Sequence, residues 1–505
     1  MKFSTIVKSV FLISIPVLGL IPLEIKGKRF IRPSVKAGEE GEVFFIKGVD
    51  YQPGGSSGYT GEISDGDVLS DSDKCWRDVF TLQKLGVNTI RVYSLHPELN
   101  HDECMTILNN AGIYVLLDVN SALDGESLNR DDPASSYNSD YLTRVFKFIE
   151  AFKNYPNLLG FFAGNEIVND ESSATLNPPY IRALQRDMKE YISKHSNRTI
   201  PVGYSAADDT TLRSATFKYL QCDSTEDNEI DSKSDFFGLN SYEWCSGQSD
   251  WKSSGYAKVN DTFQDAVIPV FFSEYGCNAF TPRTFDEVSE GVFGGLINTF
   301  SGGLVYEYSE ESNKYGLVNI DDDDGSIKFK SEYDNLESEY SKVENVTSGW
   351  GENEVEDAED YECDADKIIE IYSSFNANFS LPEQPEEISD LISNGVKNNN
   401  TGKIIEDLDI QTTNHTIKDS DGSEITDKEI NFESTNLVNS VGQSVTVVSK
   451  SSTATSSSSS VSVADSSSSE VLSSSSSDVG NNVGVSSLSS LGLFGVATFV
   501  LSFII

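Results

Sequence analysis

Positive charge is scarce in this chain of 505 residues: 37 lysines and arginines stand against 80 aspartates and glutamates, a formal net charge of −43. That balance excludes partners read through basic patches, nucleic acid and anionic membrane surfaces foremost. Histidine is scarcer still, at four (His96, His101, His195, His415), and no two sit at helical ligand spacing. No C-x-x-C pair occurs among the six cysteines, so a zinc site lacks its ligands and no metal or other cofactor is expected. No G-x-G-x-x-G loop follows the first apolar run, which removes the dinucleotide-binding signature. No apolar stretch is both long and continuous enough for a spanning helix of ~20 residues.

What is present begins at the ends. Lys2 and Lys8 precede the apolar stretch Val10 to Leu23, which Ser14, Pro16, Gly19 and Pro22 interrupt. This reads as a secretory signal over residues 1–19, cut after Gly19. In a secreted chain the six cysteines imply disulfides, and 15 connectivities are open. Six sequons, at Asn197, Asn260, Asn345, Asn378, Asn399 and Asn414, fit the same route. The chain closes on Leu491–Ile505, apolar and without a charged residue. Small residues and a polar spacer precede it, the pattern that directs GPI attachment, with Asn482 the best position and residues 483–505 removed. A plain membrane helix is the alternative, but the run is short and has no basic flank. Residues 451–482, dominated by serine, read as an O-glycosylated stalk, and residues 381–450 as a polar linker. Together these predict a monomer secreted to the cell surface and held on the plasma membrane by a GPI lipid, with the cell wall a further destination.

Between the ends lie eight short apolar runs: residues 43–49, 88–93, 113–118, 159–163, 200–204, 235–240, 270–273 and 303–306. Helical spacing fills several of the gaps, over residues 75–85, 102–110, 141–153 and 179–194. The runs are continuously apolar rather than alternating, as suits strands covered on both faces of a parallel sheet. Eight such units in about 300 residues predict a (β/α)₈ TIM barrel within residues 24–380. A doubly wound sheet is the rival arrangement. An acidic extension, richest at residues 321–324 and 352–362, completes the predicted domain.

In a barrel the strand ends form one mouth, and polar residues there read as candidates for chemistry. Two of the runs end abruptly in glutamate: Phe161-Phe-Ala-Gly-Asn-Glu166 and Val270-Phe-Phe-Ser-Glu274. A carboxylate closing a buried strand is costly unless it meets solvent, a partner or a substrate. Two of them facing one pocket are the minimum equipment for glycoside chemistry. Asp50, Tyr51, Gln52, Tyr93, Asp118, Asn165, Tyr242 and Tyr306 share the mouth, with Arg91 the single basic neighbour. Carboxylates, amides and phenols suit a neutral ligand rich in hydroxyls better than a phosphate. Each has a plainer reading, Asn-Glu as a helix cap and a strand-end tyrosine as core. The coincidence of two strand-end glutamates in a secreted chain outweighs those readings.

Eight stretches then resemble one family: Gly48-Val-Asp-Tyr-Gln-Pro-Gly-Gly-Ser-Ser57, Leu85-Gly-Val-Asn-Thr-Ile-Arg-Val-Tyr93, Asn129-Arg-Asp-Asp-Pro133, Phe161-Phe-Ala-Gly-Asn-Glu166, Pro201-Val-Gly-Tyr-Ser-Ala-Ala-Asp-Asp209, Asn240-Ser-Tyr-Glu-Trp-Cys245, Phe271-Phe-Ser-Glu-Tyr-Gly-Cys-Asn278 and Ser301-Gly-Gly-Leu-Val-Tyr-Glu-Tyr308. In this order they are similar to the fungal GPI-anchored β-1,3-glucanosyltransferases of the Gas/Gel/Phr type, glycoside hydrolase family 72. The resemblance implies a (β/α)₈ barrel with Glu166 as general acid/base and Glu274 as nucleophile. It implies that Gln52, Tyr93, Asp118, Asn165, Tyr242 and Tyr306 line sugar subsites. It implies disulfides Cys75–Cys104, Cys222–Cys363 and Cys245–Cys277, and β-1,3-glucan chains as donor and acceptor.

Some positions depart from the family's pattern. No cysteine follows Cys363, which places the chain with members lacking a cysteine-rich carbohydrate-binding module. Thr299-Phe-Ser-Gly-Gly303 and His96 also differ from common family residues. The expected activity is retaining transglycosylation: cleavage of β-1,3-glucan and transfer of the new reducing end to the non-reducing end of another chain. A hydrolytic β-1,3-glucanase and an inactive wall structural or glycan-binding protein are the alternatives.

Overall fold

The computed structural model describes residues 19–34, 38–224, 231–357, 361–397 and 400–432. The expected signal cleavage, the sequon at Asn399, the serine-rich stalk and the attachment position Asn482 lie at or beyond the limits of the described residues.

Eight parallel strands close into a barrel, in the order in which the chain makes them. We label them β1 (Ile46–Asp50), β2 (Thr89–Val92), β3 (Tyr114–Asp118), β4 (Leu158–Asn165), β5 (Val202–Ala207), β6 (Phe237–Ser241), β7 (Val270–Tyr275) and β8 (Gly302–Val305). Closure is the pairing of β8 with β1, from Gly302 against Ile46 to Val305 against Val49. Nearly every strand residue is buried, as the continuous apolar runs require. The first predicted strand is two strands in the structure. Glu42–Phe44 joins an antiparallel sheet with Glu24–Lys26 and Arg29–Arg32, and only Ile46 onward enters the barrel. Both pieces are buried and apolar, so periodicity could not divide them.

The helices pack outside. They include α1 (Ser72–Leu85), α2 (Asp102–Asn110), α3 (Ser139–Phe152), α4 (Pro178–His195), α5 (Arg213–Gln221), α6 (Tyr256–Phe263) and α7 (Ser331–Lys342). Caps fix their ends. The Asp71 side chain accepts from the backbone N–H groups of Asp73 and Lys74 at the start of α1, and Gly86 ends it at φ 82°. A π-helical segment, Glu287–Gly295, stands between β7 and β8.

Two apolar clusters result. The larger fills the layer between strands and helices. The smaller lies inside the barrel and joins Leu116, Phe162, Phe236, Phe271 and Leu304 to Leu20, Leu23, Phe30 and Phe44 of the N-terminal segment. Phe30 packs its ring, tilted, 5.9 Å from Phe271 and 6.1 Å from Phe236. Room for Phe236 comes from Gly160 and Gly203, where a Cβ would meet its ring at 2.8 and 2.4 Å. The N-terminal sheet therefore stoppers the end of the barrel where the strands begin.

The predicted linker does not leave the barrel where it was expected to. Residues 361–432, where described, form a strap across the outer helices. Ile388 and Ile392 are buried, the Val396 N–H donates to the Tyr191 hydroxyl (3.1 Å), and Gly402 N–H donates to the Ala151 carbonyl (3.1 Å). Ile417 and Lys418 pair with Ile327 and Lys328, and Phe432 stacks on Trp76 at 5.8 Å. Polar composition concealed this because the anchors are single apolar residues spaced along the segment. The acidic stretch, where described, is likewise held to the body: Glu352 accepts from the Gly41 N–H (3.0 Å). Disulfides join Cys75 to Cys104, Cys222 to Cys363 and Cys245 to Cys277. No helix among the described residues is long and apolar enough to cross a membrane.

Candidate active site

The C-terminal ends of the strands carry one connected polar cluster. Its centre is Arg91 of β2, fully buried. Arg91 Nε and Nη2 donate to the two carboxylate oxygens of Asp118 at 2.9 and 3.2 Å. Nη2 also donates to Asn165 Oδ1 (3.0 Å), and Nη1 to Glu274 Oε1 (3.3 Å) and to the Ser273 carbonyl (3.2 Å). The guanidinium lies 4.4 Å from the Tyr93 ring centre and 4.5 Å from that of Phe162. Burial works against its charge, but Asp118 foremost, with Glu274, holds its proton on.

Glu274 is 8 % exposed and well supplied with donors. The Tyr93 hydroxyl donates to its Oε1 (2.9 Å) and the Tyr242 hydroxyl to its Oε2 (2.7 Å). Burial pushes its pKa up to about 7, with the charge of Glu166 adding to the rise; Arg91, Tyr242 and Tyr93 pull the other way. Both tyrosines are held far above the ordinary phenol range, by burial first, so they remain donors.

Glu166 sits one residue past β4 and is half-buried. Its backbone has φ 49°, a left-handed conformation that costs a non-glycine residue of this size about 1–2 kcal/mol. The Glu166 N–H donates to the Ser205 carbonyl at 2.8 Å. Its Oε1 accepts from Asn240 Nδ2 (2.8 Å), which also reaches Asn165 Oδ1 (3.0 Å). Beneath these amides, Ser205 donates to Asn165 Oδ1 (2.7 Å), and Ser273 donates to Asn240 Oδ1 (2.8 Å). The serines fix which way both amides face, and so aim the Asn240 N–H at Glu166.

Tyr306, just past β8, forms an edge-on aromatic group with Tyr242 and Tyr315, at centroid separations of 6.3 and 5.3 Å. Tyr93, Asp118, Asn165, Glu166, Tyr242, Glu274 and Tyr306 are thus brought together. Gln52 is turned aside. Its Oε1 accepts from the N–H groups of Tyr93 (3.2 Å) and Ser94 (3.1 Å), so its amide holds the β2 exit rather than an open face. Tyr51 faces a different buried network, donating to Asp78 at 2.7 Å. Asn240, Ser205, Ser273 and Tyr315 escaped sequence reasoning as functional residues. The serines had left a signal, being polar breaks inside apolar strands. Tyr315 had left none, since it comes from a loop.

Such a site can hold a ribbon of hydroxyls against phenols and amides while two carboxyls work on it from the ends of β4 and β7. Among the described residues no cluster of His, Cys, Asp and Glu could hold a metal ion. The loop after Glu274 is braced by Cys245–Cys277, with Cα atoms 4.8 Å apart.

Comparison with known proteins supplies the rest. The family model of glycoside hydrolase 72, described as glucanosyltransferase, matches residues 17–344. The chain is similar to the probable 1,3-beta-glucanosyltransferase GAS3 of Saccharomyces cerevisiae, 59% identical over 444 residues, 86% of this chain and 84% of that one. It is 48% identical over 410 residues to the 1,3-beta-glucanosyltransferase gel2 of Aspergillus fumigatus, covering 81% and 82% of the two chains. Among solved structures it is similar to a mutant of Saccharomyces cerevisiae Gas2p in complex with laminaritetraose and laminaripentaose. There the TM-score is 0.60 at 38% identity, over 73% of this chain and 76% of that one.

Proposed function

The chain belongs to the glucanosyltransferase family, glycoside hydrolase family 72, and on that premise we propose that it cleaves β-1,3-glucan and joins the new reducing end to a second chain. The observation that carries this reading is the difference between the two glutamates. Glu274 is clamped by two phenols and a guanidinium, all of which favour a carboxylate. Glu166 is more open and has one amide donor.

Glu274 acts as the nucleophile. Its carboxylate attacks the anomeric carbon while Glu166 gives a proton to the departing glycosidic oxygen, leaving a glycosyl ester on Glu274. Retention requires the two carboxyl groups to lie ~5–5.5 Å apart, too close for an intervening water. The 3-hydroxyl at the non-reducing end of a second glucan then attacks the ester. Glu166, now the base, takes that proton, and Glu274 is released as a carboxylate. Tyr242, Tyr306 and Tyr315 offer faces on which sugar rings can stack, and Asn165 and Asp118 hold the floor in register through Arg91.

We propose that it acts at the cell surface, attached by a GPI lipid at Asn482. The apolar terminus Leu491–Ile505 behind a polar spacer supports it. Release of the protein from intact cells by a phosphatidylinositol-specific phospholipase tests that attachment. The activity itself is tested with a reduced laminari-oligosaccharide of one length. Products longer than the substrate are expected, and shorter products alone would mean that water, not sugar, intercepts the ester.

A further inference from the structure

One buried acid has no part in the chemistry above. Asp50 is the last residue of β1, fully buried, and neither of its carboxyl oxygens has a hydrogen-bond partner. Charged and titratable groups face it from every neighbouring element. Arg91 and Tyr93 come from β2 and the loop after it, Glu274 from β7, and Glu307 from the turn after β8. Tyr242, Tyr306 and Tyr340 lie within its electrostatic reach.

The donors on this floor are already allotted. Asp118 takes two N–H groups of Arg91, and Glu274 takes a third together with two phenolic protons. Tyr93, which lies beside Asp50, has one proton, and that proton goes to Glu274. Tyr340 gives its proton to the Gly48 carbonyl (2.7 Å). Glu307 is a second buried acid nearby, with Oε1 unpartnered and burial pushing its pKa up to about 7. A single guanidinium cannot hold this many carboxylates ionised at buried positions, so a proton must stay.

We propose that Asp50 keeps that proton: it is a positioning acid, neutral throughout the working range, which leaves Arg91 to Asp118 and Glu274 and so keeps the nucleophile ionised. Burial and the charge of Glu274 push Asp50 in the same direction. The inference rests on the nucleophile reading for its purpose, but the protonation state can be measured without substrate.

The linkage has a definite sign. A carboxyl whose folded pKa is raised adds stability that is complete below the unfolded value of about 3.9 and is lost as pH rises through the folded value. Asparagine at this position has no proton to lose. The melting temperature of Asp50→Asn relative to the wild type should therefore climb between about pH 4 and pH 8, by roughly 4 °C or more. In infrared spectra at about pH 8.5, above the values of about 7 for Glu274, Glu287 and Glu307, the wild type should show a protonated-carboxyl band that Glu287→Gln and Glu307→Gln retain and Asp50→Asn loses. If Asp50→Asn does not fold, a wild type without the band at that pH still overturns the assignment. The acidic limb of kcat/KM should stay in place in Asp50→Asn. No such band, a relative melting temperature that does not climb, or an acidic limb moved about one pH unit lower would each overturn the assignment. An enzyme that hydrolyses rather than transfers would fail the oligosaccharide test and leave these three readouts intact.

Discussion

The two ends of the barrel are built from opposite materials around the same eight strands. At the end where the strands begin, Phe30, Phe162, Phe236 and Phe271 interlock with Leu20, Leu23 and Phe44 in an apolar cluster. At the other end Arg91, Asp50, Asp118, Glu274 and Glu307 are buried within one electrostatic neighbourhood. The two meet where Arg91 lies above the Phe162 ring at 4.5 Å. Burial at one end releases free energy, about 25 cal/mol per Å² of apolar surface; burial at the other costs free energy, and supplies reactivity in return. The stopper lets the mouth afford its charges.

Substitutions can break that division. Glu274→Gln is expected to have the largest effect, a loss of about 10³-fold or more in both transfer and hydrolysis, with no loss of melting temperature at neutral pH, as removal of an acid raised by burial requires. Equal oligosaccharide ladders from the variant and the wild type would remove Glu274 from the chemistry. Arg91→Gln follows, because it leaves Asp118 and Glu274 without their shared cation. It should cost about 3–5 kcal/mol in urea unfolding and abolish activity together with stability. Phe30→Ala acts on the other end, at about 3 kcal/mol from lost transfer energy and cavity. Here kcat/KM of the folded enzyme should stay within about threefold. A comparable fall in kcat/KM would show that the ends are not separable.

Tyr242→Phe is a smaller change that sharpens the comparison. It removes one donor to the Glu274 carboxylate, worth about 1.5–3 kcal/mol, or roughly ten- to a hundredfold in rate. Losing a donor to the ionised form raises the pKa, so the acidic limb of kcat/KM should move to higher pH. A limb that stays put would mean that the phenol serves only substrate. The smallest effect concerns sugars on the surface. Asn197, Asn345, Asn378 and Asn414 are exposed, whereas Asn260 is half-buried within α6 and accepts from Thr299 (2.7 Å). Glycopeptide mapping should find Asn260 bare, and Asn260→Gln should leave the mass of the native glycoprotein unchanged apart from the side chain.

Much of this division could be read before any coordinates. Continuous apolar runs announced parallel strands, and abrupt terminal glutamates announced the mouth, because one-dimensional pattern reports burial on both faces and its interruption. The partition of protons could not be read. Whether Gln52 faces a ligand or the Tyr93 backbone depends on side-chain torsion, and whether Asp50 has a donor depends on where other residues spend theirs. The break between Phe44 and Ile46 was hidden because both sides are equally apolar. The strap was hidden for the opposite reason, its few apolar anchors being diluted in a polar segment.

That strap has a consequence for anyone cutting or recombining the gene. A boundary at residue 344, where the family match ends, would discard Cys363 and leave Cys222 unpaired. It would also discard Ile388 and Ile392, uncovering the faces of α3 and α4 that they shield, and Ile417, which pairs with Ile327. The natural unit of inheritance runs at least to Phe432, so domain shuffling that respects the barrel alone would hand on an unfinished protein.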